Sequence, residues 1–166
     1  MTLLPTLNDQ IARARTDLRL GLPVVLQDDG HLALIFAAEG LTDARLGAAR
    51  KLGIPVLAIT AWRAETLRAQ VYDGDLARLA LPDDANASWI ASIADPTDDL
   101  STPMKGPFNA LRDGSADAHR LAIRLVKSAW LLPAALVIEV QTAPPQLTVL
   151  DATAASRALA APVMHR

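Results

Sequence analysis

Ile11, Ala14 and Leu18 recur at helical spacing while Arg13 and Arg19 fall outside that stripe, which predicts a helix entered at Asn8. Gly21 stops it and Pro23 prevents its resumption. Val24-Val25-Leu26 then reads as a short strand, Asp28-Asp29-Gly30 as a tight turn, and His31 to Ala38 as a second strand of the same hairpin. Because Leu32 to Ala38 is apolar at successive positions, both faces of that strand should be covered.

Thr42-Asp43 opens a helix that Gly53 closes, and Ile54 to Ile59 is the next buried strand. Thr60 caps a helix running through Ala69, and Leu76 to Leu81 fits a strand or a short helix. Asp84 caps a helix carrying Trp89, Ile90 and Ile93, which Asp95-Pro96 ends. The proline- and glycine-bearing stretch Thr97 to Pro107 reads as irregular loop. Ser115 caps a helix to Trp130 with Leu121, Leu125 and Val126 inward, and Ala135 to Val140 forms a strand. After Pro144-Pro145 come Leu147-Thr148-Val149 and a last helix capped by Asp151. The pattern predicts an α+β fold, an α/β sandwich whose mixed sheet is flanked by helices.

Composition narrows the function classes. With 51% hydrophobic and 20% charged residues and a mean hydropathy of +0.22, the 166-residue chain can supply the core of one domain spanning 1–166. A net charge of -2 offers no basic field to gather nucleic acid or an anionic membrane. The absence of cysteine excludes disulfides, thiolate zinc sites, iron–sulfur clusters and cysteine nucleophiles. No charged-then-apolar leader opens the chain, and no apolar run reaches the ~18 residues of a membrane helix. The expectation is a soluble cytoplasmic protein.

Candidate chemistry is sparse. Asp28, Asp29 and His31 place two carboxylates and an imidazole on one turn, a polar loop that could hold magnesium through oxygen ligands. An Asp-Gly hairpin turn requires the same residues for backbone reasons alone. Lys105 beside Gly106 could present an ammonium and open N–H groups to a phosphate, with Arg112 and Thr60 as further phosphate candidates. A surface loop pinned by its proline and phenylalanine explains that stretch equally. His119 would need a second ligand three or four residues away, and Ser115, Ala122 and Ile123 offer none, so it reads as a solvated helix histidine. Glu139 and His165 lack partners nearby in sequence. Trp62, Trp89 and Trp130 could line a pocket, but the spacing of Trp89 and Trp130 among aliphatic residues assigns them to the core and the helix caps. No P-loop, dinucleotide glycine fingerprint, nucleophile elbow or zinc-helix motif is present.

The ordered pieces nevertheless resemble one family. Residues 11–29, a helix followed by a glycine turn, an apolar strand and Asp28-Asp29, are similar to the opening of 3,4-dihydroxy-2-butanone 4-phosphate synthase, an enzyme of riboflavin biosynthesis. Ile35 to Thr42 resembles that family's next strand, Gly53 to Thr60 the one after, and Asp99-Leu100, Pro103, Phe108 and Leu111-Arg112 its phosphate-side loop. Leu131 to Val137 resembles the strand after its metal-binding helix.

The departures bear on chemistry. The family's acidic loop continues through Arg-Glu-Asn-Glu-Gly-Asp, whereas Asp28-Asp29 here runs straight into Gly30-His31-Leu32. Counted back from Pro133, the family's Gly-His-Thr-Glu falls on Asp117-Ala118-His119-Arg120, so its metal-binding histidine becomes Ala118 and its acid Arg120. His119 is one residue out, a rotation of about 100° on a helix. The family's two magnesium ions and proton transfers would then lack their donors.

A nearer likeness is to the degenerate synthase-like domain at the N-terminus of some bacterial GTP cyclohydrolase II proteins, through Asp95 to Leu100, Pro103 to Phe108 and Leu131 to Ala134. The cyclohydrolase module itself uses a three-cysteine zinc site, and this chain has no cysteine. The resemblance implies a non-catalytic scaffold, dimerisation or regulatory module of GTP cyclohydrolase II, itself a homodimer. One alternative is a magnesium-dependent phosphosugar lyase with a rebuilt site, Asp28, Asp29 and His31 on the metal and Lys105 and Arg112 on the phosphate. The other is a small-molecule sensor using the inherited pocket without turnover.

Overall fold

The computed structural model describes residues 3–100 and 106–160. The first helix, α1 (Leu7–Arg19), begins two residues earlier than a cap at Asn8 would allow. Its cap is Thr6, whose hydroxyl accepts from the Asp9 N–H while the Asp9 carboxylate accepts from the Thr6 N–H, and this reciprocal pair outcompetes Asn8. The hairpin follows as β1 (Val24–Asp28) and β2 (His31–Ala37). Asp29 (φ 47) and Gly30 (φ 84) both occupy left-handed backbone, the conformation a two-residue hairpin turn demands.

Helix α2 (Asp43–Arg50) and α3 (Ala61–Leu67) start at Thr42 and Thr60 as predicted, with β3 (Pro55–Thr60) between them. Positions 76–81 resolve as a strand, β4 (Leu76–Ala80), because it pairs along its length with β3. The next helix, α4 (Ala87–Ala94), is capped by Asn86 rather than Asp84: the Asn86 side chain lies three residues before the Trp89 N–H that it accepts. A short 3-10 turn (Pro96–Asp98) and a two-residue strand, β5 (Asn109–Ala110), frame the stretch predicted as loop. Helix α5 (Asp117–Ser128) has Ala116 at its cap position and no side-chain cap of its own first turn, since Ser115 accepts only from the Asp117 N–H. Then come β6 (Ala134–Val140), β7 (Val149–Asp151) and α6 (Ala152–Ala160), where Asp151 accepts from the Ala154 N–H as predicted.

The seven strands form one sheet in the order β5-β4-β3-β6-β2-β1-β7, antiparallel except for the parallel β1–β7 pair. Both faces of its centre are covered. Leu34 and Phe36 of β2 with Leu136 and Ile138 of β6 meet α2, α3 and α4 through Leu46, Ala64, Ile90 and Ile93. The alternate positions, Ala33 and Ile35 with Ala135 and Val137, meet α1, α5 and α6 through Ile11, Leu18, Leu125 and Ala155. The result is the mixed sheet between helices that the sequence pattern predicts. No helix among the described residues is long and apolar enough to cross a membrane.

Candidate functional site

Strand register decides what meets at each end of the sheet. Asp28 pairs with His31, Leu32 with Val140, Ala33 with Glu139, and Pro55 with Ile138. The β1–β2 turn, the end of β6 and the start of β3 therefore share one end. Helix α5 starts there, and α6 starts there too, because Asp151 of β7 stands opposite Gln27 of β1.

Between these elements lies a cleft of about 880 Å³, with Asp28, His31, Asp117, Arg120 and Glu139 among its lining residues. A second cavity of about 450 Å³ adjoins it, shares Ser115 and Glu139, and is walled by Arg78 and His119.

Arg120 dominates the electrostatics of the rim. Its Nε lies 2.9 Å from one Asp75 oxygen and its Nη2 2.9 Å from the other, and Nη1 reaches Asp117 at 3.3 Å. The Arg120 hydrogen bonds hold the Asp75 carboxyl below the usual carboxylate range, and Asp75 in turn pushes the guanidinium up. Arg78, a charged residue within the buried β4, makes a two-pronged pair with Asp73 at 2.9 and 3.2 Å and reaches the Gly114 carbonyl.

His119 corrects the solvated-histidine expectation. It is only 5% exposed, and its Nδ1 has no hydrogen-bond partner. Burial first, and the Arg78 charge second, push it down to about 4, so the ring is neutral at pH 7. Helix α5 turns this side chain under itself toward β4, a placement that residue spacing within one helix could not disclose. The core assignment of Trp130 is also overturned: it is 91% exposed and takes left-handed backbone (φ 64) just beyond the end of α5, outside the helical spacing that would have turned it inward. Trp62 is 82% exposed, and Trp89 packs against Phe108 with ring centroids 6.3 Å apart. None of the three tryptophans lines the cleft.

The candidate metal residues are only partly assembled. Asp28 and His31 both line the cleft, while Asp29 supplies the turn backbone. Among the described residues no three His, Asp or Glu side chains come together as metal donors. The donor set among the described residues does not fit the two magnesium ions that the resemblance implies.

The phosphate candidates do not converge. Thr60 sits at the opposite end of the sheet, its hydroxyl accepting from the Arg63 N–H as the α3 cap. The Arg112 guanidinium lies over the Tyr72 ring, 4.8 Å from its centroid, and does not line the cleft. Lys105 and His165 lie outside the described residues. The cleft instead takes cations that the sequence reading did not single out, Arg124 of α5 and Arg157 of α6. Arg124 follows Arg120 by four residues, so a helical wheel of α5 marks the pair as one face; only the tertiary structure brings Arg157 to the same cleft.

No protein-family model matches the chain, and no curated protein matches its sequence. Solved structures do match. A 3,4-dihydroxy-2-butanone 4-phosphate synthase of Candida albicans superposes with a TM-score of 0.67 at 15% identity, over 97% of this chain and 100% of that one. A two-domain synthase from A. baumannii gives 0.56 at 16% identity over 89% of this chain, which spans only 52% of that protein. A synthase in complex with two magnesium ions gives 0.56 at 17%, over 84% and 81% of the two chains. At such low identity the likeness establishes architecture alone: this chain has the fold of the 3,4-dihydroxy-2-butanone 4-phosphate synthases.

Proposed function

We propose that this chain is a non-catalytic, synthase-like module related to riboflavin biosynthesis, serving as a scaffold, dimerisation or regulatory unit for a GTP cyclohydrolase II partner. One observation carries the reading. The fold has a cleft at the strand ends, yet among the described residues its carboxylates do not gather into a metal site, and Arg120 of its lining pairs with Asp117 there and with Asp75 beside it. A carboxylate held by a guanidinium is a poor base and a poor metal ligand. Both points support a synthase-like architecture used for binding.

In this reading residues 1–166 form one domain, act as a homodimer in the cytoplasm, and bind rather than convert small molecules. The decisive experiment follows ribulose 5-phosphate by NMR with purified protein and saturating Mg²⁺. Unchanged substrate is expected. Magnesium-dependent consumption, abolished by Asp28→Asn or His31→Ala, would overturn the reading in favour of a phosphosugar lyase.

A further inference from the structure

Arg124 and Arg157 stand on neighbouring helices and both line the large cleft. Within the described residues neither makes a hydrogen bond or an ion pair, in contrast to Arg120, whose charge is matched by Asp75 and Asp117. Two guanidiniums in one cleft, neither engaged in a hydrogen bond or ion pair within the described residues and one of them felt only at long range by Asp75, form a site for a phosphate-like anion, which they can bind in the two-pronged manner of arginine. The Ser156 hydroxyl, one residue before Arg157, adds a donor to that cleft.

The other end of the cleft is of opposite character. Asp28 and Glu139 line it at the strand ends and present carboxylate oxygens as acceptors. Between the two ends the floor is apolar, with Leu26, Ala33 and Leu121 of the α5-covered face. Asp117 at the acidic end precedes Arg124 by seven residues, about 10 Å along a helix axis. At about 880 Å³ the cleft lies near the upper end of the ~300–1,000 Å³ range of sites for drug-sized ligands.

We propose that this cleft binds a nucleoside phosphate, with its phosphate between Arg124 and Arg157, its base on the apolar floor and the base's N–H edge toward Asp28 and Glu139. A pentose phosphate lacks the flat apolar face and the N–H donors that the floor and the acidic end would engage. The inference rests on the reading of this chain as a module that binds without converting, and it names the ligand class of that same cleft.

Titration calorimetry of the full chain against AMP, GMP, CMP and UMP tests it, with ribose 5-phosphate and inorganic phosphate in parallel. At least one nucleotide should saturate, with ribose 5-phosphate and phosphate at least tenfold weaker. The Arg124→Ala/Arg157→Ala double variant should weaken the nucleotide at least tenfold without moving the melting temperature, since both side chains are exposed. Three results would each overturn the assignment: no saturation by any nucleotide, equal binding of the pentose phosphate, or a double variant that binds as tightly as the parent. Consumption of ribulose 5-phosphate would defeat the non-catalytic reading while leaving the nucleotide titration to be judged separately. A flat nucleotide titration would defeat this proposal and leave that reading standing.

Discussion

Arg120 on α5 binds both oxygens of Asp75, which lies in the loop just before β4, and so ties the cleft's rim to the neighbouring strand. The pair is open to water, with Asp75 59% exposed, so its energetic value is modest. Arg120→Ala should cost roughly 0.5–1 kcal/mol at pH 7 by urea denaturation. The folded-state pKa of Asp75 is depressed, so this stability is present above its unfolded pKa and fades as pH falls through the folded value. The variant and the parent should therefore converge in acid; a cost that is flat with pH would disprove the pairing.

His119 titrates in the opposite sense to a histidine that gains a partner. Its folded pKa near 4 lies below the ordinary 6.5, so the unfolded chain takes up a proton first as pH falls. Stability should decline from about pH 6.5 downward and level off near pH 4, by ~3 kcal/mol in total for this one group. His119→Leu should remove that component of the slope. Urea midpoints of both proteins at pH 7, 5.5 and 4.5 measure it, and parallel curves would refute the burial argument.

Arg63 is the structural arginine of the other layer. It donates to the Ile93 carbonyl at 2.6 Å and to the Ser92 carbonyl at 3.2 Å, and it holds Asp99 through both carboxylate oxygens. Removing a buried cation that satisfies so many acceptors leaves them unpaired, so Arg63→Ala should cost ~3 kcal/mol. Arg63→Lys should recover little, because an ammonium cannot span both carbonyls and the carboxylate. A lysine variant as stable as the parent would show that the charge alone is needed.

Gly53 permits the closest backbone approach at the cleft end of the sheet. A Cβ there would collide with the Glu139 carbonyl oxygen and meet the Ile138 side chain at 2.8 Å. Gly53→Ala should destabilise by about 1–3 kcal/mol and displace the end of β6. Thermal melts and the chemical shifts of Glu139 and Val140 would show it; an unshifted β6 with native stability would mean the approach is looser than described.

The fold was largely legible because its signals are local. The apolar run Leu32 to Ala38 called for cover on both faces and has it, and Thr42 and Thr60 announced their helices. Errors arose where two neighbouring residues competed for one role, as Thr6 did with Asn8 and Asn86 with Asp84. The turn at Asp28 to His31 was legible as geometry, and two of its side chains do reach the cleft. The rest of the site was not, because it depends on distant segments. Asp75 and Arg120 are 45 residues apart and meet only once α5 packs across β3. His119 and Arg78 come together the same way, and no spacing within one element encodes either encounter.

The placement of the three tryptophans has a spectroscopic consequence. Trp62 and Trp130 emit from water, whereas Trp89 lies against Phe108 in the α4 layer, on the face of the sheet away from α5 and α6. Intrinsic fluorescence therefore follows the loosening of that one layer and is optically blind to occupancy of the cleft. An unchanged emission spectrum on adding a ligand says nothing about binding, while an early blue-to-red shift on heating would report the α4 side parting before the rest.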